Sequence, residues 1–265
     1  MQSPFINLRL PGPFARRRGR GAAFDPVAAY IAAVEAADGQ TLEEGVKQAI
    51  DGFVTGCKAD GIWDAIKASC ILAGARTLNG ALVPLAGDAP TNFNFVSEDY
   101  DRVAGLKGDG STKLLDSNRS NAADPQDSQH LSVFVTENAS GVTGYIGSNR
   151  NNEGTSQIAV NEPKTIARSR HLTTGTQSVD RFSTGLNAIS RSNSSNFNIR
   201  VEKITSLAPT SSRSPQNDPI TVFDRGENNI TDARLSFYSI GEDIDLAALD
   251  TRVTTLMAEI EAALT

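Results

Sequence analysis

From residue 25 to about residue 74 the apolar positions recur at three- and four-residue steps, the spacing of helices with one buried face. Asp25 followed by Pro26 supplies an N-cap with proline at the first helical position, and Ala28, Tyr30, Ile31, Val34 and Ala37 form the stripe. Asp38 and Gly39 stop it. Thr41, with Glu44 three residues on, has the form of a capping box, and Leu42, Val46, Ile50, Phe53, Val54 and Cys57 then share one face. Asp60 and Gly61 interrupt the pattern. Ile62, Trp63, Ile66, Cys70 and Leu72 predict a third helix ending near Gly74.

From Leu82 onward glycine, asparagine, serine and threonine become dense, and short runs alternate apolar with polar residues. The run 130–136 is one. The run 196–204 is the cleanest, with Phe197, Ile199 and Val201 on one face and Asn198, Arg200 and Glu202 on the other. Weaker runs fall at 143–147, 156–160, 165–170, 185–191 and 219–223, and 233–240 closes the series. Many short strands with turn residues between them predict an antiparallel sandwich, and the lack of strand–helix alternation argues against a parallel sheet. Gly108 to Thr112 reads as a hairpin turn. Residues 245–264 return to helical spacing through Leu246, Leu249, Val253, Leu256, Met257, Ile260 and Leu264. That stripe is too short for a coiled coil, so the helix is expected to pack on its parent domain.

Three regions follow: an extended N-terminal arm (1–24), a helical segment (25–80) and a β-sandwich (81–265) closed by the helix 245–264. The arm contains Pro4, Pro11 and Pro13, which exclude a helix, yet carries Phe5, Ile6, Leu8, Leu10 and Phe14 with no local core to join. Arg9, Arg16, Arg17, Arg18 and Arg20 give residues 1–23 a charge of +5, leaving -11 for the rest of a chain whose formal net charge is -6. An acidic body does not suit nucleic-acid binding, which needs a basic face. The arm therefore reads either as a docking segment for a neighbouring protein, with Phe5, Leu8, Leu10, Phe14, Arg16, Arg17 and Arg18 as its contacts, or as a disordered terminus.

Of the 265 residues 39% are hydrophobic and only 6% aromatic. No apolar run approaches the roughly 18–20 residues needed to cross a bilayer, and no apolar stretch follows the N-terminal arginines as in a secretory signal. No membrane insertion and synthesis in the cytoplasm are expected. Two cysteines, Cys57 and Cys70, are too few for a disulfide framework or a zinc site, and both read as buried free thiols in helices. His130 and His171, the only histidines, read as packing or hydrogen-bonding groups beside strands. No H-E-x-x-H, C-x-x-C or G-x-S-x-G occurs. Asp99, Asp101, Asp109, Asp116, Asp124 and Asp127 supply carboxylates, but none stands in the context of a paired glycosidase acid and base, so a non-enzymatic role is expected.

The closing strand and helix, residues 234–241 (Arg-Leu-Ser-Phe-Tyr-Ser-Ile-Gly) followed by residues 245–256, resemble the end of laminin-G-like, concanavalin-like lectin domains, and more closely the version found in tail and other virion proteins of bacteriophages and prophages. Further resemblance lies in residues 62–67 with 73–75, 90–95, 105–113, 129–134 and 191–198, so that it spans roughly residues 40–265 as many weak matches. It implies a jelly-roll sandwich and a virion role: a tail fibre, baseplate or receptor-binding component, or else a capsid decoration or head-fibre protein, or a polysaccharide-degrading tailspike. Other virion proteins as partners of the arm, a host surface glycan as ligand and a symmetric oligomer, a trimer by analogy, belong to the same expectation. Such sandwiches often hold calcium in rim loops. Asp116, Asp124 and Asp127 lie in or beside a polar loop, 117–128, of suitable composition, although turn-forming Asx residues explain that loop without metal. Tyr100, Tyr145 and Phe182 are the aromatic candidates for stacking on a sugar.

Overall fold

The computed structural model describes residues 25–148, 153–171, 177–226 and 228–265. Helix α1 (Pro26–Asp38) starts as expected: the Asp25 carboxylate accepts from the Val27 N–H at 3.0 Å, and Gly39 ends the helix in the left-handed region at φ 65°. Helix α2 (Glu44–Ala59) starts two residues later than the Thr41 capping box predicts. Its N-cap is Glu43, whose carboxylate is drawn away into a two-pronged bond with Arg102 at 3.1 and 2.7 Å.

The predicted third helix does not form. A single 3-10 turn (Trp63–Ala65) leads into strand β1 (Ile66–Ile71). The spacing misleads because β1 is buried on both faces: Ala68 and Cys70 enter the core between the sheets, while Ile66 and Ile71 enter the helical layer. A strand covered on both sides loses its two-residue alternation and cannot be told from a helix by period alone. Cys70 is therefore a strand residue. It and Cys57 are buried free thiols, both pushed up to about 12 by burial.

A short helix α3 (Leu78–Ala81) follows, and after it the chain is almost wholly strand: β2 (Thr91–Phe93), β3 (Tyr100–Asp101), β4 (Gly105–Lys107), β5 (Leu114–Ser120), β6 (Gln129–Glu137), β7 (Val142–Gly147), β8 (Thr155–Asn161), β9 (Lys164–His171), β10 (Gln177–Val179), β11 (Gly185–Arg191), β12 (Phe197–Val201), β13 (Ile204–Ala208), β14 (Pro219–Val222) and β15 (Arg234–Gly241). Helix α4 (Leu246–Leu264) closes the chain, capped by Asp245, which accepts from the Ala247 N–H at 2.8 Å.

The strands build two antiparallel sheets. One runs β13-β12-β11-β6-β15-β4-β3, with β1 also on β15, and the other runs β10-β9-β8-β7-β14-β5-β2. This is the mainly-β sandwich with an N-terminal helical piece and a C-terminal helix that the alternation predicts. Leu131, Val133 and Val135 of β6 meet Ile158 and Val160 of β8 between the sheets. The helices lie on the outer face of the eight-stranded sheet, where Val46, Ile50, Phe53, Leu249, Val253 and Ile260 pack with Phe237 of β15. Phe53 meets the Phe237 ring edge-on at 5.6 Å.

Two further expectations change. Gly108–Thr112 is not a hairpin turn. It carries the chain from β4 in one sheet to β5 in the other, with the Asp109 carboxylate accepting from Ser111, Thr112 and Lys113 N–H groups at 2.8–3.0 Å. The run 196–204 is not one strand either. Glu202 and Lys203 sit at φ 54° and 61° and turn the chain between β12 and β13. Alternation continues across the turn, and Glu-Lys lacks the asparagine–glycine signature of such turns.

Candidate functional site

The expected sites disperse in the fold. Phe5, Leu8, Leu10, Phe14, Arg16, Arg17 and Arg18 lie outside the described residues. Tyr145 is fully buried between the sheets, Tyr100 donates its hydroxyl to the Ala75 carbonyl at 2.8 Å, and Phe182 packs against the inter-sheet core, so these three form no common stacking surface. Asp116 accepts from the Asn118 N–H at 2.8 Å, Asp124 pairs with Arg119, and Asp127 accepts from the Ser212 hydroxyl. Each carboxylate thus has its own partner, and among the described residues no group of three or more His, Cys, Asp or Glu side chains could hold a metal ion. Residues 117–120 of the proposed rim loop belong to β5.

His130 and His171 are fully buried. His130 Nδ1 lies 2.6 Å from the Glu242 carbonyl, which can only accept, so Nδ1 carries the proton. Nε2 then accepts from the Ser239 hydroxyl at 2.9 Å. Burial pushes this imidazole down to about 4, and it serves as a neutral cross-link between β6 and β15. His171 stacks on the Phe197 ring at 5.5 Å.

At one end of the sandwich two buried guanidinium groups tie the connecting loops together. Arg170 donates to the carbonyls of Asn121 (2.6 Å), Ser128 and Pro125, and Arg191 donates to those of Ser169, Asn193, Asn196 and Thr210 at 2.9–3.0 Å. Burial lowers both to about 10, still far above neutral pH, so both remain charged. These arginines hold backbone carbonyls of the connecting loops.

A hollow lies elsewhere, on the outer face of the eight-stranded sheet. Across β11, β6 and β15 the outward residues Leu186, Phe134 and Phe237 stand side by side. Helix α2 covers Phe237 through Phe53, and Leu186 is buried, but Phe134 is left half-open where α4 passes. The result is a cleft of about 300 Å³ with Phe134 and Leu186 at its floor and Ser183, Thr184, Glu202, Lys203, Asp250 and Thr254 around it. Four elements make it: β6, the start of β11 with the approach to it, the β12–β13 turn and the first half of α4.

One wall is rigid. Arg200 Nε meets the Asp250 carboxylate at 2.8 Å, Thr254 donates to the same carboxylate at 3.1 Å, and Arg200 also reaches the Thr205 hydroxyl at 2.9 Å. The charges balance: Arg200 offsets Asp250, and Lys203 offsets Glu202. The Ser183 hydroxyl is buried with no hydrogen-bond partner among the described residues. A second hollow of about 380 Å³, lined by Phe134, Thr136, Thr254, Met257 and Glu261 among others, continues along the other flank of α4. An aromatic floor ringed by hydroxyls, with no net charge, can take a flat uncharged polar ligand. One part of this site was visible in the sequence. With Leu131, Val133 and Val135 pointing inward, Phe134 must point out, an aromatic on the polar face of its strand.

No protein-family model matches the chain, and a search of curated proteins finds no significant match. Solved structures do share its architecture. The botulinum neurotoxin serotype D binding domain superposes with a TM-score of 0.50 at 10% identity, covering 72% of this chain and 51% of that one. The binding domain of botulinum neurotoxin DC in complex with rat synaptotagmin II gives 0.50 at 11% identity, covering 73% and 52%. A Trypanosoma rangeli sialidase mutant displaying trans-sialidase activity gives 0.47 at 9% identity, covering 80% and 38%. The chain spans about half the length of the two neurotoxin domains it matches. The fold is an antiparallel β-sandwich, and at these identities the likeness is one of fold alone.

Proposed function

We propose that this chain is a non-enzymatic structural component of a phage-like particle, of the tail or receptor-binding kind. It displays its sandwich to a glycan on the host surface and attaches to other virion proteins through residues 1–24. The observation that carries the binding role is the cleft over Phe134: a ring face for the apolar side of a sugar, and hydroxyls of Ser183, Thr184 and Thr254 for its polar edge. Balanced charges favour an uncharged hexose over an acidic one. Support for binding over catalysis comes from Asp250, whose carboxylate is already taken up by Arg200 and Thr254. In the neurotoxin neighbours the same architecture serves as a binding domain. Attachment through the arm rests on its five arginines and its apolar side chains, set against an acidic body.

The test is a glycan array probed with the full chain and with its Phe134→Ala variant. Binding to neutral host-type glycans that is lost in the variant, while the melting midpoint changes little, is the expected outcome. Equal binding by both proteins moves the site elsewhere. Release of reducing sugar from host polysaccharide overturns the non-enzymatic reading.

A further inference from the structure

The eight-stranded sheet ends, among the described residues, at β13, and this edge lacks the usual guards. Natural edge strands are kept from pairing by charges, prolines or bulges. Within Ile204–Ala208 there is no charged residue, no proline and no register shift. Ile204 and Leu207 are also 50% and 64% exposed, two of the five large hydrophobic side chains most open to solvent among the described residues.

The pairing pattern shows which backbone groups are free. The two-residue turn Glu202–Lys203 makes Val201 and Ile204 the closing hydrogen-bonded pair, and antiparallel ladders alternate from there. Ile204, Ser206 and Ala208 therefore direct their N–H and C=O groups back to β12. Thr205 and Leu207 direct theirs outward. No described hydrogen bond fills those outward backbone positions; the contacts at this strand are to side chains, from Arg200 to the Thr205 hydroxyl and from Arg181 to the Ser206 hydroxyl.

We propose that β13 pairs antiparallel with β13 of a second copy of this chain about a two-fold axis through Ser206, joining two eight-stranded sheets into one. That register places Thr205 opposite the partner's Leu207 and Leu207 opposite the partner's Thr205. These are the residues whose backbone groups point outward, so each pair exchanges two hydrogen bonds and the strand is complementary to itself. A register shifted by one residue would set outward groups against groups already used in the β12 ladder. Ile204 falls opposite Ala208, a large side chain against a small one, and no like charges meet along the five residues. Pro209, with no N–H, follows immediately and limits the pairing to β13. The contact is two-fold, so the assembly it produces contains an even number of chains.

Ser206 gives a test specific to register. On the axis it faces its own copy as a non-hydrogen-bonded pair, with Cα atoms about 4.5 Å apart, a spacing a disulfide can bridge. Full-length Ser206→Cys is expected to form a disulfide-linked dimer under mild oxidation, whereas Thr205→Cys, offset from the axis, does not. Both native cysteines are buried. In parallel, light scattering after gel filtration is expected to give the wild type a two-chain mass, or a multiple of it. Leu207→Pro, which removes an outward N–H without touching the β12 ladder, is expected to halve that mass at an unchanged melting midpoint. If the proline disturbs folding, Leu207→Lys repeats the test through charge repulsion and loss of the apolar contact. A single-chain or three-chain mass for the wild type, a mass unchanged by both Leu207 variants, or equal cross-linking from positions 205 and 206 overturns the proposal.

Discussion

Mild acid is expected to weaken the fold through one residue, His130. Its ring is fully buried, Nδ1–H is committed to the Glu242 carbonyl, and Nε2 takes the hydroxyl proton of Ser239, which itself lies 2.7 Å from Ser132. A second proton on the ring would leave Nε2 and Ser239 both presenting hydrogens and would place an unpaired charge between two strands. Burial accordingly lowers this imidazole from 6.5 to about 4. Because the folded value lies below the unfolded one, the unfolded chain takes up the proton first. The contribution is complete above about pH 6.5 and is lost as pH falls from there toward 4. Between pH 7.5 and pH 5 the loss is about 2 kcal/mol, from the gap between the two titrations. The carboxylates of Glu43, Asp101, Asp109 and Glu137, held low in the fold, add little in that interval because their stabilisation is lost only as pH falls through their unfolded values, below about pH 5. Urea unfolding at the two pH values, on the wild type and on His130→Gln, isolates the effect. The glutamine variant is expected to be less stable at pH 7.5 but to lose almost nothing further at pH 5. If both proteins lose the same amount, His130 is not the acid-sensitive group and the tautomer assigned from its partners is wrong.

Other outcomes follow from packing and pairing. Phe237→Ala, which removes a fully buried ring touching both α2 and the sheet, is expected to cost about 3–5 kcal/mol in chemical denaturation. A cost near zero would mean that the helical layer is not anchored there. Arg200→Ala leaves Asp250 buried without its cation and is expected to cost about 3 kcal/mol, much of it recovered when Asp250→Leu is added; additive losses would show that the pair is not coupled. Adding calcium or a chelator is expected to leave the melting midpoint where it is, because Asp116, Asp124 and Asp127 already have separate partners, and a calcium-dependent rise would reveal a site outside them. Deleting residues 1–24 is expected to leave the sandwich folded while abolishing co-purification with particles, and retention of the truncated chain would show that attachment uses another surface.

The local features that a short stretch of chain decides were legible in advance. Asp25 caps α1 because a carboxylate two residues before a free N–H needs no distant partner. The alternation in β6, β7, β8, β9, β11, β14 and β15 betrays strands with one face toward the core. Where neighbours override local pattern, the sequence was silent or misleading. Segment 66–71 carries helical spacing but becomes a strand because β15 offers it a ladder and apolar layers await it on both sides. Helix α2 starts at Glu44 and not directly after Thr41, and Glu43 before it is held by Arg102 and Arg76, some thirty or more residues away in the chain. The same holds for the candidate site. Phe134 was readable as an outward aromatic, but Ser183, Lys203 and Thr254 join it only because α4 crosses the sheet beside a hairpin formed fifty residues earlier. Period and caps are properties of a few consecutive residues and survive in the sequence. A cleft, a buried arginine's carbonyl partners and an unguarded edge depend on which distant segments meet, and that was settled only when two sheets and a helix closed on one another.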